Sequence, residues 1–248
     1  MPKIFEVGGC VRDSFLNLKS KDIDFSFVLD NLDRTVEEGF QIMTDWLKHH
    51  NFDIFLSTPD CFTICAKFPK DHENAGLVAD FVMARKEVGI IEGTRRQQLE
   101  LGTLEDDLRR RDFTCNSIAK DTAGNIIDPF NGIQAIKDGI LDTPQDPMIT
   151  FMDDPLRMLR AIRFSITKGF KIAPRVLEAM KQPELISRLK ETVSSERVQA
   201  ELQKAFNHDT LKTLRVLNLV DKDLPGFLEA CFDSGLRLDP TFKKVKRK

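Results

Sequence analysis

A chain of 248 residues with 41% hydrophobic and 31% charged side chains carries enough apolar surface for one large core or two small ones, as in an ordinary soluble globular protein. Lys and Arg total 37 against 39 Asp and Glu, so the net charge of −2 excludes a global pull toward nucleic acid and leaves such contacts to local basic patches. No apolar run is long enough to span a bilayer, Met1-Pro2-Lys3-Ile4 lacks a signal-peptide core, and five cysteines without a C-x-x-C pair indicate neither a zinc site nor a disulfide framework, so a cytoplasmic protein is expected.

The run from Lys3 to Val7 is short and mostly apolar and leads into Gly8-Gly9-Cys10-Val11-Arg12-Asp13. This predicts a buried strand, a tight turn and a helix opening at Val11. Such a turn is an anion site, because without Cβ atoms the backbone approaches a phosphate closely and its N–H groups point at negative charge. The helix ends near Asn17 to Ser20. After it, Lys21-Asp22-Ile23-Asp24-Phe25-Ser26-Phe27-Val28-Leu29 alternates as a strand with Asp22, Asp24 and Ser26 on one face and Ile23, Phe25 and Phe27 inward. Two carboxylates that close are costly unless a cation lies between them, and hard oxygen donors suit magnesium. A phosphate cradle beside a magnesium-binding Asp pair implies phosphoryl or nucleotidyl transfer.

The order Gly-Gly-x-Val-Arg-Asp and then Lys-Asp-Ile-Asp resembles the head-domain signature of the class II tRNA nucleotidyltransferase and bacterial poly(A) polymerase family. The resemblance implies an α/β head with a mixed sheet of polymerase-β-like nucleotidyltransferase topology, followed by an all-α neck and a truncated body. It also implies that Gly8, Gly9 and Arg12 bind the triphosphate and ribose, and that Asp22 and Asp24 are catalytic and hold Mg2+.

Farther along, Val36, Phe40, Met43 and Leu47 recur at helical spacing in a covering helix from Val36 to His50. Strands follow at Phe52 to Leu56 and Phe62 to Phe68, joined through Thr58-Pro59-Asp60. Gly76 to Met83 reads as another, buried on both faces except at Asp80. By the family resemblance Asp80 completes the metal-binding trio. Arg85 to Gly102, rich in charge and poor in periodicity, is expected to be a mobile loop near the site.

The segment Leu104 to Ala119, with Arg109-Arg110-Arg111-Asp112-Phe113-Thr114-Cys115-Asn116, resembles the family's Arg-Arg-Asp-Phe-Thr-x-Asn-Ala motif except for Ser117 in place of alanine. That similarity puts Arg111 near the nucleotide, with Asp112 and Asn116 supporting it, and guanidinium geometry suits phosphate or sugar oxygens. A hairpin is expected from Ser117 to Asp128, and Asp128 to Leu141 resembles the family's linker. Pro144 and Pro147 mark a break, giving a head over 1–146 and a helical neck and body over 147–248.

Asp153-Asp154-Pro155 caps a helix running to about Thr167, with Leu156, Leu159, Ile162 and Ile166 on one side and Asp154, Arg157 and Arg160 along a stripe on the other, Arg163 at its border. The stretch resembles the family's neck helix. There the second acid and first arginine act as a protein template: a carboxylate accepts from the exocyclic amine of cytosine or adenine while a guanidinium donates to a ring acceptor. The resemblance gives that role to Asp154 and Arg157, with Arg160 and Arg163 placing base or phosphates.

Helices are expected at Pro174 to Lys181, Pro183 to Leu189, Ser195 to Phe206, Thr210 to Leu219 and Pro225 to Phe232. Glu196 to Leu202 resembles the family's last motif, whose Glu and Arg brace the neck helix. The basic stretch Phe242 to Lys248 is a frayed end or a phosphate-contacting arm. The resemblance, over about residues 3 to 206, implies a CCA-adding enzyme acting on tRNA 3′ ends with CTP and ATP, a short form without the usual tail. The alternatives are a poly(A) polymerase, an enzyme adding only CC or only A, and a catalytically silent RNA-binding module. The absence of an Arg-Phe-x-x-x-His strand after Leu56 favours CCA addition over poly(A) synthesis.

Overall fold

The computed structural model describes residues 2–20, 22–90 and 97–232. Lys21, the centre of the charged segment at 91–96 and the basic stretch 242–248 fall outside them. The described residues form two compact units, the first running to Asp138 with Asp142–Gln145, the second comprising Gly139–Leu141 and the chain from Asp146 onward.

In the first unit β1 (Lys3–Val7) leads into α1 (Gly9–Phe15) and β2 (Asp22–Val28), so the first helix opens at Gly9, two residues earlier than expected. Next come α2 (Val36–His49), β3 (Asp53–Thr58), a 3-10 turn at Pro59–Cys61, β4 (Thr63–Lys67) and β5 (Val78–Met83). Thr35 and Glu38 form a reciprocal capping box at the start of α2, which fixes where that helix begins. The segment expected as a loop is instead an antiparallel ribbon of β6 (Arg85–Ile90) and β7 (Gln97–Leu101), irregular between Glu87 and Gly89. Pairing with its own return strand gives this charged sequence order without an alternating apolar pattern. The unit closes with α3 (Leu104–Arg109), a 3-10 turn at Thr114–Asn116, the pair β8 (Ala119–Lys120) and β9 (Ile126–Ile127), and α4 (Gly132–Asp138).

The seven-stranded sheet has the order β3-β4-β5-β2-β1-β8-β9. Only β2 and β5 are parallel neighbours; the other pairs are antiparallel, which makes the sheet mixed as expected. One face is the main core: Phe25, Phe27, Met43, Leu47, Ile64, Phe81 and Met83 pack there, with Phe25 and Phe81 stacked at 4.8 Å. Strand β5 alternates, burying Ala79, Phe81 and Met83 while Val78, Asp80 and Val82 are half-buried. The expectation of a strand buried on both faces is therefore corrected. Asp80 lies on the more open face, where a carboxylate is less costly.

The second unit pairs β10 (Ile140–Leu141) in parallel with β11 (Lys171–Ile172). Its helices are α5 (Pro147–Asp153), α6 (Leu156–Thr167), α7 (Pro174–Met180), α8 (Glu184–Thr192), α9 (Ser195–His208), α10 (Thr210–Asp223) and α11 (Phe227–Phe232). Helix α5 was not expected, because Pro147 reads as a break. It is instead the first helical residue after Asp146, whose carboxylate accepts from the Met148 and Ile149 N–H groups. Helix α6 buries Leu156, Met158, Leu159, Ala161, Ile162, Phe164 and Ile166. No helix among the described residues is long and apolar enough to cross a membrane.

Candidate active site

The strand registers place Cys65, Asp80, Asp24, Val7, Ala119 and Ile127 in one transverse row across β4, β5, β2, β1, β8 and β9. Side chains in such a row share a face of the sheet. Asp24 and Asp80 are its two charged members and are immediate neighbours on parallel strands. The rest of the row offers no counter-charge. Burial pushes the Asp24 carboxyl above its ordinary value; Arg111 and Arg12 pull it down, while Asp80 and Asp22 push it further up. Asp80 Oδ1 is buried and accepts no hydrogen bond. Its register partner Cys65 has its thiol pushed up to about 12, by burial first and then by Asp80. Asp22 stands two residues before Asp24 on the same face, at an exposed position.

Gly8 closes one side of this pair. Its φ of +77° lies where L side chains rarely go, and a Cβ there would sit 2.8 Å from Arg111 Nη1 and 3.2 Å from Asp24 Oδ2. Gly8 therefore leaves open the point at which the arginine and the carboxylate approach one another. Arg111 Nη2 donates to Asp107 Oδ2 at 3.1 Å, and its Nε is buried with no acceptor. Asp107, fully buried, also accepts on Oδ1 from Arg110 Nε and Nη2 at 3.0 and 2.7 Å. Burial alone would raise the Asp107 carboxyl, but Arg111 and Arg110 outweigh it and hold it at about 2.

Arg12, Asp112 and Asn116 form a second, adjoining network. Arg12 Nη1 donates to Asn116 Oδ1 at 2.5 Å, and its Nε donates to Asp13 Oδ1 at 2.9 Å. Asn116 Nδ2 in turn donates to Asp112 Oδ1 at 2.8 Å, which also accepts from the Phe113 N–H. A Cβ at Gly9 would lie 3.6 Å from Arg12 Nη2. This network ties α1 and the glycine turn to the segment after α3, and all three of its side chains are buried.

The four remaining expected residues lie in the second unit. Asp154 follows α5 and accepts from the Leu156 N–H on Oδ1 at 3.2 Å and from Arg197 Nη2 on Oδ2 at 2.7 Å. Arg157 Nη1 donates to the Thr150 carbonyl at 3.1 Å, and Arg188 Nε donates to the Met152 carbonyl at 3.0 Å. Three arginines from α6, α8 and α9 thus hold the turn that carries Asp154. Arg163 Nε donates to Glu201 Oε2 at 2.5 Å, and Arg160 Nη1 lies 3.6 Å from Glu201 Oε1. Glu201 is 5% exposed, so the arginine stripe is partly an internal ion-pair cluster and not a fully open face.

Asp107, Arg188, Arg197 and Glu201 were not singled out from sequence as site residues. Asp107 had a local signal, an acid three and four residues before Arg110 and Arg111, which follow directly on its helix. Glu201 and Arg197 lie inside the stretch resembling the last family motif, whose Arg, here Arg197, is expected to brace the neck helix, whereas Glu201 has no individual expectation.

Among the described residues no group of three or more His, Cys, Asp or Glu side chains is assembled to hold a metal ion by itself. The donors at Asp24 and Asp80 nonetheless fit a hard cation of the magnesium type, which commonly takes one or two carboxylates and fills its shell with water and substrate phosphates. The unpaired Asp80 Oδ1 is an acceptor of that kind.

A family model described as the poly A polymerase head domain matches residues 4–142. A protein from Nitrosomonas eutropha named multifunctional CCA protein is 36% identical over 183 residues, 73% of this chain and 38% of its own length. A Buchnera aphidicola protein named CCA-adding enzyme is 37% identical over 184 residues, 72% of this chain and 38% of its own length. The chain thus spans well under half of these relatives. Among solved structures, the Bacillus stearothermophilus CCA-adding enzyme in complex with CTP is similar with a TM-score of 0.68 at 28% identity, covering 95% of this chain and 52% of that one.

Proposed function

The chain belongs to the poly A polymerase head domain family, and on that premise we propose that it is a template-independent RNA nucleotidyltransferase adding CCA to tRNA 3′ ends from CTP and ATP. The observation that carries the transfer chemistry is the neighbouring pair Asp24 and Asp80, set in an otherwise uncharged row beside Gly8 and a half-engaged Arg111. The choice of CCA addition draws on the names of the relatives.

In this reading Asp24 and Asp80, with Asp22, hold Mg2+ by their carboxylate oxygens. Bound there, the metal supplies Lewis-acid activation of the attacking 3′-hydroxyl and neutralises charge on the triphosphate. Arg111 offers Nη1 and the acceptor-less Nε to phosphate oxygens, and the Gly8-Gly9 turn lets the triphosphate approach the backbone. Arg12, Asp112 and Asn116 keep that turn fixed to the Arg111 segment. In the second unit Asp154 and Arg157 read the amine and ring acceptor shared by C and A, steadied by Arg197, while Arg160 and Arg163, anchored on Glu201, place base or phosphates. Residues 1–146 are thus assigned to transfer and 147–248 to nucleotide choice and RNA.

The test incubates the purified protein with Mg2+ and tRNA transcripts ending at the discriminator base, after C or after CC, with CTP and ATP separately and together, and Asp24→Ala as control. Ordered addition of two C and one A, lost in the variant, is expected. Untemplated runs of A would move the protein to poly(A) synthesis, and incorporation that stops after CC, or that starts only on CC ends, would restrict it to partial addition.

A further inference from the structure

Arg111 has two competing carboxylates within reach of its electrostatic field. One is Asp107, which it contacts through Nη2 at 3.1 Å; the other is Asp24, whose Oδ2 and the Arg111 Nη1 flank the same point beside Gly8, 3.2 and 2.8 Å from where a Cβ would sit. A guanidinium left to choose would move onto Asp24, the carboxylate that a cation must occupy. Asp107 opposes that move. It is fully buried, and its second oxygen is secured by Arg110, so it cannot turn away to follow Arg111. The fork geometry then leaves Nη1 beside Gly8 and Nε without an acceptor.

We propose that Asp107 is a positioning residue that holds the Arg111 guanidinium back from Asp24, keeping two of its donor groups available to a nucleoside triphosphate and the Asp24 oxygens available to the divalent cation. The inference rests on the nucleotidyl-transfer reading given above. It assigns Asp107 no contact with substrate. Its effect is transmitted through one side chain, and that makes it separable from a general role in folding.

The measurement is titration calorimetry of Mg·CTP binding to the wild type, Asp107→Asn, Arg111→Ala and the double variant, with thermal unfolding to establish the folded fraction of each. Asp107→Asn is expected to weaken Mg·CTP binding about ten-fold, the scale of one lost charge-assisted hydrogen bond, and to raise the Mg2+ concentration needed for half-saturation. In the Arg111→Ala background the same substitution should change binding less than about two-fold, since the side chain it acts through is gone. Should Asp107→Asn fold poorly, Asp107→Asn with Arg110→Gln also neutralises the other guanidinium that faces Asp107 and serves in its place.

Multiplicative effects of the two substitutions, or an Asp107→Asn protein that binds normally per folded molecule, would overturn this proposal and leave the transfer reading untouched. Wild-type binding of Mg·CTP without incorporation into any RNA would sink the transfer reading while the binding comparison still decides the role of Asp107. A wild type that binds no Mg·CTP overturns both.

Discussion

Asp24 on β2 and Asp80 on β5 are register partners across the one parallel pairing of the main sheet, and the Oδ1 of Asp80 is buried with no donor to it. Two like charges on adjacent strands oppose folding, and the cost is visible in Asp24, whose carboxyl burial and Asp80 drive upward. The arrangement therefore trades stability for two carboxylates held side by side on one face of the sheet.

That trade gives the first prediction. A carboxyl raised in the folded state contributes stability that is fully present below its ordinary value of 3.8 and is lost as pH rises through its folded value. Asp24→Asn should then unfold at a temperature equal to or above the wild type at neutral pH, with the difference vanishing toward pH 3. Nucleotide incorporation should fall at least about a hundred-fold. Thermal unfolding from pH 3 to 8, run beside the incorporation assay, checks both; a less stable variant at pH 7 would contradict the electrostatic account.

Asp107 predicts the opposite pH response. Held at about 2 against an ordinary 3.8, it contributes stability that is present above pH 3.8 and lost as pH falls toward 2. At about 1.4 kcal/mol per pKa unit the contribution is on the order of 2 kcal/mol. The stability gap between wild type and Asp107→Asn, read by urea unfolding at stepwise lower pH, should narrow across that window and not before it.

Gly8→Ala tests the approach of Arg111 to Asp24. With φ +77° and ψ −132° Gly8 lies outside the left-handed helical region, so a side chain there costs on the order of 1–3 kcal/mol, and the added methyl would meet Arg111 Nη1 at 2.8 Å. Because that atom ends a flexible side chain, the arginine should yield and the fold survive. The expected result is a folded protein with the KM for CTP raised about ten-fold; unchanged kinetics would mean that Arg111 does not need its present place.

In the second unit, Glu201 serves Arg163, Arg160 and Lys204 from a position 5% exposed. Glu201→Ala leaves Arg163 largely buried and without that partner, and should cost about 3 kcal/mol. Arg197→Ala should behave differently. Its side chain is 51% exposed, so the ion pair with Asp154 contributes less than about 1 kcal/mol to stability. Release of Asp154 Oδ2 should instead alter the ratio of CTP to ATP incorporation. Denaturant unfolding and competition between the two nucleotides separate these outcomes.

Legibility in the sequence followed the distance over which each constraint acts. The strand, glycine turn and helix from Lys3 to Phe15 and the alternating strand through Asp24 are written in adjacent residues, so their elements and faces could be read directly. Asp80 carried no local sign of partnership with Asp24, since their pairing depends on a parallel register between strands more than fifty positions apart. It came from family resemblance. The β6–β7 ribbon was missed because its order comes from pairing with itself and its charges hide any alternation. Asp107 was passed over because an acid at helical spacing from two arginines looks the same whether solvated or enclosed, and its enclosure is set by tertiary packing that the local sequence does not carry.

The excursion of Gly139–Leu141 into the second unit bears on how this protein can be divided. Lys171 N–H donates to the Gly139 carbonyl at 2.7 Å and Ala173 N–H to that of Leu141 at 2.9 Å, while Asp142 O accepts from Thr114 N–H back in the first unit. A polypeptide starting at residue 146 would therefore leave β11 with an open edge, and one ending at 138 would deprive the Thr114 turn of its acceptor. Any single cut between the two therefore takes β10 from the second unit or the Asp142 acceptor from the first.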